Sequence, residues 1–245
     1  MAFSGILTAN SLQTPCLMSA SPENPNVDFI VPYCDEAIGY LHCDDDLLII
    51  NKPAGLLSVP GRHPDNKDCL ISRIAEVYPD ASIVHRLDMS TSGLMIIALH
   101  KDSHRALSRL FQDRKIDKEY QAVVYGELTS REGFIDLPLA CDWPNRPRQE
   151  LNFDYGKKAQ THYLRQGITE GGHSQILLTP ITGRSHQLRV HTASIGHPIL
   201  GCEFYAHPAA KAAADRLLLH ASRLRFTHPY TGEILDIQHS AEFID

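Results

Sequence analysis

The chain has 245 residues, 43% hydrophobic and 21% charged. These are ordinary globular proportions, and they exclude a disordered scaffold, a coiled coil or a collagen. Apolar runs such as 94–99 fall far short of the roughly 20 residues of a membrane-spanning helix, and no Lys or Arg precedes Lys52. We therefore expect no membrane span and no secretory leader, and a cytoplasmic protein. The net charge of −6 is unevenly spread. Residues 1–51 hold seven acids and 230–245 hold four, both without Lys or Arg, leaving 23 bases against 18 acids between them. That basic body is compatible with a polyanionic partner. The cysteines, at 16, 34, 43, 69, 141 and 202, lack Cys-x-x-Cys or zinc-finger spacing. Reduced thiols and no metal site are expected.

Residues 1–34, rich in Ser, Pro, Asn and Thr, read as a flexible acidic arm, and 35–245 as a single domain. An apolar run predicts a buried strand at 47–50, ended by Asn51-Lys52-Pro53. Helical spacing of Leu70, Ile71, Ile74, Val77 and Tyr78 predicts a helix capped by Asp68. A strand buried on both faces follows at 94–99. A second helix, capped by Asp102, turns Ala106, Leu107, Leu110 and Phe111 inward. Further strands are predicted over 118–128, 134–137, 161–166, 175–181, 216–220, 224–226 and 234–238, with Gly171-Gly172 as a hairpin turn. A helix over 185–195 ends at Gly196, with Leu188, Thr192 and Ile195 buried and Arg189 at the edge of that face. A short helix spans 209–215. Strands outnumber helices without alternating with them, which fits an α+β fold better than a doubly wound sheet.

Two segments concentrate chemical groups. Residues 83–93 place His85, Arg86, Asp88 and three hydroxyl side chains between two apolar runs. By composition alone this is an ordinary turn, capped by Asp88 and Ser90, with Arg86 on a surface carboxylate. Residues 182–191 put Gly183 before a helix start that carries Arg184, His186, Arg189 and His191. A helix start suits an anion, and an ordinary amphipathic helix explains the same residues.

Taken in order, several stretches resemble the RluA family of pseudouridine synthases across about residues 40–240. They are Asn51-Lys52-Pro53-Ala54-Gly55-Leu56, His85-Arg86-Leu87-Asp88 with Thr91-Ser92-Gly93, Lys118-Glu119-Tyr120, the 182–191 segment, Gly196-His197-Pro198-Ile199-Leu200-Gly201, and Leu217-Leu218-Leu219-His220-Ala221. Val59-Pro60-Gly61-Arg62 and Cys141-Asp142-Trp143-Pro144-Asn145-Arg146-Pro147 are most similar to dual-specificity members. The resemblance implies a pseudouridine synthase fold, a mixed and largely antiparallel sheet with flanking helices and a central catalytic cleft. It leaves no room before residue 40 for the S4 domain of larger relatives.

The implied reaction converts uridine to pseudouridine in RNA, by base flipping and without metal or cofactor. By the same resemblance Asp88 is the nucleophile and Arg189 its partner. A guanidinium beside a carboxylate lowers its pKa and fixes its direction. Tyr120 stacks on the uracil and stands by the C5 proton, although a phenol of pKa about 10 is a poor base. Arg86 enters the space left by the flipped base. Arg62, Lys118, Arg146 and Arg184 are the expected RNA contacts, with Lys115, Arg148, Lys157 and Lys158 as further phosphate contacts. The implied partners are stem-loops of 23S rRNA and of tRNA (the anticodon stem-loop), bound by a monomer without an obligate protein partner. The competing readings are a single-substrate synthase of the same family, a non-catalytic RNA-binding factor and a glycoside hydrolase. The last needs a second carboxylate about 5–9.5 Å from the first, which neither segment supplies.

Overall fold

Leu47, Leu48, Ile49 and Ile50 are all fully buried, as in a strand covered on both faces. In the computed structural model, which describes residues 29–244, they belong to β2 (Leu47–Lys52). This strand pairs antiparallel with β1 (Gly39–Cys43) and with β4 (Ser92–Ala98), and β3 (Ser82–Ile83) also pairs with β4. The second half of the sheet comes from β5 (Asp117–Val124), β6 (Glu132–Asp136), β9 (Gln160–Ile168) and β10 (Ser174–Pro180). A small separate hairpin, β7 (Leu139–Cys141) with β8 (Gln149–Leu151), stands apart. The sheet order is β1-β2-β4-β11-β5-β10-β9-β6, where β11 (Leu219–Thr227) also carries β12 (Ile234–Gln238). Few helices accompany these strands, so the α+β expectation and its mixed, largely antiparallel sheet are what the chain forms.

The halves join where β4 meets β11, the one parallel pairing in this sheet among the described residues, over His220↔Ser92 and Ala221↔Gly93. Gly93 makes that approach possible. Its φ is +116°, and a Cβ there would lie 2.4 Å from the backbone N and O of Ala221. No L-side chain tolerates both conditions.

Alternate residues of β2 and β4 feed two cores. Leu48, Ile50, Met95 and Ile97 pack with Leu70 and Ile74 of α1 (Leu70–Ala75). Leu47, Ile49, Leu94 and Ile96 pack with Leu107 of α2 (Lys101–Gln112) and with Leu224 and Phe226. Ala122, Val124, Ile176 and Leu178 form a third core beneath Leu188 of α3 (Gln187–Ser194). A last short helix, α4 (Pro208–Ala212), follows.

The structure corrects several local expectations. Asp68 does not cap α1. Cys69 is the N-cap, and Asp68 instead accepts two Arg73 bonds, at 2.8 and 2.7 Å. Asp102 lies inside the first turn of α2, paired with Arg105 at 2.5 Å. The cap is His100, whose Nδ1 accepts from the Ser103 N–H at 3.2 Å, because a ring nitrogen lone pair can serve a cap as a carboxylate does. The strands expected at 216–220 and 224–226 are one strand, β11, with a register shift between Ala221 and Arg223. Short strands β1, β3, β7 and β8 carry too little periodicity to be read locally. Arg189 is not at the edge of the buried face but 3% exposed.

Of the expected arm, residues 1–28 lie outside the described residues. Residues 29–34 run along the body. Asn66 Nδ2 donates to the Phe29 carbonyl at 2.7 Å, Val31 N–H donates to Asn66 Oδ1 at 2.8 Å, and Cys34 is buried in the first core. Among the described residues no helix is long and apolar enough to cross a membrane.

Candidate active site

The loop between β3 and β4 alternates its side chains. His85 turns inward, where its Nε2 accepts from the Ile96 N–H at 2.9 Å and its ring lies 4.4 Å from Phe111. Burial, with Lys118 nearby, pushes this imidazole down to about 3, so it is a neutral acceptor. Arg86 is exposed, Leu87 is buried and Asp88 is half-buried.

The backbone of this loop is tied down. Ser58 Oγ donates to the Leu87 carbonyl at 2.7 Å and the Gly55 N–H donates to Met89 O at 2.9 Å. Lys52, fully buried, donates to the carbonyls of Pro53, Leu56 and Met89 at 2.7, 2.8 and 3.2 Å. Burial pushes its ammonium down to about 7, against the pull of nearby acids that include Asp88. A buried lysine aimed at three backbone oxygens is a clamp in its ammonium form, and here it holds the residue next to Asp88.

The segment after β10 is held as firmly. Gln187 Oε1 accepts from Thr182 Oγ1 at 2.7 Å and from the Arg184 N–H at 3.0 Å, while Gln187 Nε2 donates to Gln160 O at 2.9 Å. His191 is structural, bridging Thr161 Oγ1 at 2.9 Å and Leu137 O at 3.1 Å. This frame sets Arg189 in the first turn of α3. Its Nη1 donates to Asp88 Oδ2 at 3.2 Å and its Nε to Cys202 Sγ at 3.4 Å. Its guanidinium lies 5.2 and 5.4 Å from the ring centres of Phe204 and Tyr205. Burial opposes its charge, but Cys202 and Asp88 outweigh that and raise its pKa. A buried cation needs such partners.

Asp88, Tyr120 and Arg189, from the β3–β4 loop, β5 and α3, thus line one open cleft of about 650 Å³, counting solvent at its mouth. Arg86, Lys118 and Arg184 line it too, and all three continue into a broader groove beside Phe111 and Arg114. Burial and the Asp88 charge raise the Tyr120 phenol above its ordinary value, so it keeps its proton at neutral pH. Its ring offers a stacking face, and its hydroxyl a donor. Arg62 and Arg146 are not brought into the cleft. Arg62 is exposed on the loop after β2. Arg146 stacks at 4.2 Å on the exposed Trp143, in the turn between β7 and β8.

Sequence reasoning assigned no role to Lys52, His186, Cys202, Phe204 or Tyr205. His186 and Lys52 lay inside segments singled out for other residues. For Phe204-Tyr205 the only signal was a pair of adjacent aromatics soon after a turn glycine, Gly201.

A second polar cluster lies away from the cleft. His228, 2% exposed, faces Asp44 Oδ2 at 3.3 Å and Asp46 Oδ2 at 3.9 Å. Its Nδ1 accepts the N–H groups of Tyr230 and Thr231 at 3.3 and 3.1 Å, which puts its proton on Nε2, facing the carboxylates. His42 and His100 meet the same acids at 2.7 and 2.9 Å. The group is a polar brace: His42 and His100 hydrogen-bond Asp44 and Asp46 across β1 and the cap of α2, and His228, from the turn between β11 and β12, faces both acids without a hydrogen bond from Nε2 among the described residues. With its proton on Nε2, His228 has no lone pair to give a metal there.

Comparisons with known proteins bear on the family and the fold. The family described as RNA pseudouridylate synthase matches residues 46–194. A dual-specificity RNA pseudouridine synthase RluA from Yersinia pestis is 52% identical over 203 residues, covering 83% of this chain and 98% of the relative. The protein of that name from Escherichia coli strain K12 is 50% identical, covering 83% and 93%. Among solved structures, human RNA pseudouridylate synthase domain containing 1 superposes with a TM-score of 0.73 at 26% identity, covering 88% of each chain.

Proposed function

This chain belongs to the RNA pseudouridylate synthase family and is an RNA pseudouridine synthase, and on that premise we propose that it modifies stem-loops of both 23S rRNA and tRNA, with Asp88 as its nucleophile. The observation that carries the assignment of Asp88 is its pairing with Arg189 at 3.2 Å across 101 residues of sequence, in an open cleft with cations at its mouth. The pairing fixes the direction of the carboxylate within the cleft, where a nucleophile must stand.

The reaction is balanced within the substrate. The N1–C1′ bond breaks, the uracil turns, the C5–C1′ bond forms, C5 loses its proton and N1 gains one. Asp88 enters and leaves unchanged. The target uridine leaves its stack to reach the cleft, at a cost of a few kcal/mol that is lowest in a loop. Arg86, exposed at the rim, takes the space it leaves. Tyr120 stacks on the uracil and keeps its hydroxyl protonated beside C5. Lys118 and Arg184 contact phosphates at the cleft. Arg62 and Arg146, outside it, contact the flanking stem. The name dual-specificity on half-identical relatives supports two RNA classes. The enzyme works as a monomer in the cytoplasm, with 35–245 as the catalytic domain.

Pseudouridine mapping of total RNA from cells with and without this protein tests the proposal. Loss at a 23S site and at tRNA anticodon stem-loops is expected. Loss in one class alone selects a single-substrate enzyme.

A further inference from the structure

His186 occupies a conformation that few side chains adopt. As N-cap of α3 it has φ 52° and ψ 14°, the left-handed region, which is strained for a residue other than glycine. The turn directs its ring inward, where the side chain is 8% exposed, and Nε2 lies 3.7 Å from Asp88 Oδ2. The ring stacks on Phe204 with centroids 5.7 Å apart and 13° between planes. Its other nitrogen, Nδ1, is 2.5 Å from Tyr205 Oη, and that oxygen accepts the Gln149 N–H of β8 at 2.8 Å.

Hydrogen counting then assigns the protons. Tyr205 Oη already accepts from Gln149, and the one proton it owns has His186 Nδ1 as its acceptor among the described residues. With Nδ1 accepting, the imidazole proton sits on Nε2 and points at Asp88. The opposite tautomer would set a nitrogen lone pair against a carboxylate oxygen and leave the phenol proton without an acceptor. Burial holds His186 down to about 4 and Tyr205 up to about 12, so both groups are neutral at pH 7.

We propose that His186 is a positioning residue for Asp88: Tyr205 fixes its proton on Nε2, the N–H faces Oδ2 at 3.7 Å as an electrostatic contact beside the Arg189 hydrogen bond, and Oδ1 is left as the reacting oxygen. Oδ1 has no donor among the described residues, whereas Oδ2 faces two. Phe204 and Tyr205 form a common floor beneath both donors. The chain Gln149–Tyr205–His186–Asp88 therefore links the β7–β8 hairpin to the carboxylate. The inference rests on Asp88 as nucleophile, but its hydrogen-bond content is measurable without RNA.

The nitrogen-15 spectrum of the RNA-free enzyme reports the tautomer directly. A protonated Nε2 and a bare Nδ1 are expected, and a proton on Nδ1 overturns the proposal even if no RNA substrate is modified. His186→Asn keeps a residue that tolerates the left-handed turn while losing the reach to Oδ2. Its single-turnover rate at saturating RNA should fall about 10–100-fold, the cost of a small misplacement of a reacting group, with RNA affinity unchanged. His186→Gln, which restores an N–H near the Nε2 position, should recover part of that rate. Tyr205→Phe removes only the hydroxyl and should cost about fivefold in rate, one hydrogen bond's worth; it serves if His186→Asn fails to fold. A His186→Asn rate within twofold of wild type, or a loss seen wholly in RNA affinity, overturns the proposal.

Discussion

Asp88→Asn removes one negative charge and keeps the shape of the side chain, so its consequences separate chemistry from packing. If Asp88 is the nucleophile, turnover falls by about 10⁴-fold or more, the scale on which enzymes lose rate with their nucleophile, or more than about 5 kcal/mol in barrier. Stability falls as well. Arg189, 3% exposed, has Asp88 as its only carboxylate partner among the described residues. Charges about 4 Å apart attract by about 4 kcal/mol at an effective dielectric of 20. Because the Asp88 side chain is 30% exposed, solvent screening reduces this to about 2 kcal/mol. For a chain of this size that is a fall of about 4–8 °C in melting temperature. RNA binding tightens about two- to threefold, since a carboxylate about 8 Å from a phosphate in a wet cleft repels it by about 0.5 kcal/mol. Tritium release from RNA labelled at uridine C5 measures turnover, filter binding measures affinity, and thermal unfolding measures stability. Turnover above about 1% of wild type would falsify the nucleophile assignment. An unchanged or raised melting temperature would show that the Asp88–Arg189 pair does not stabilise the fold.

Arg189→Lys keeps a charge near Asp88 but loses the Nε contact to Cys202 and the planar packing on Phe204 and Tyr205. The rate at saturating RNA should drop about 100-fold with little change in affinity, and equal rates would mean that charge alone suffices. Lys52→Met strips the carbonyls of Pro53, Leu56 and Met89 of their shared donor. Unfolding in urea should show a loss of about 3 kcal/mol, with turnover reduced because the loop holding Asp88 loosens; an unaltered midpoint would dismiss the clamp. Asp44→Asn tests the brace. Burial raises the Asp44 pKa, but bonds from His42 and the Leu47 and Asp46 N–H groups outweigh it, and the net shift is downward. A carboxylate depressed in the folded state contributes stability above its unfolded pKa of about 3.9 and loses it as pH falls through the folded value. Wild type should therefore exceed Asp44→Asn in stability at pH 6, and the gap should close as pH drops below about 4. A gap that stays constant to pH 2 contradicts this.

What could be read locally was decided by short-range physics. The 47–50 and 94–99 runs read as buried strands because they are short, unbroken and bounded by turn residues, and the glycines at 171–172 read as a turn. The loop around Asp88 and the segment around Arg189 stood out because they crowd charged groups beside apolar strands, and their order along the chain carried the family resemblance. Helix caps were misread at Asp102 because the His100 ring reaches the Ser103 N–H, and at Asp68 because its carboxylate turns to the Arg73 guanidinium instead.

The linear chain pointed to an α+β fold through its strand and helix pattern, and through its family resemblance to a uridine-modifying chemistry and to three residues that the structure brings to one cleft. Only the tertiary structure decided what surrounds them. Arg189 is buried rather than at an edge, Lys52 clamps Met89, and His186 meets Asp88 with its proton set by Tyr205. Each of these depends on directional contacts between segments separated by a turn or by half the chain. Residue spacing encodes which face is apolar, but not which lone pair a proton will find.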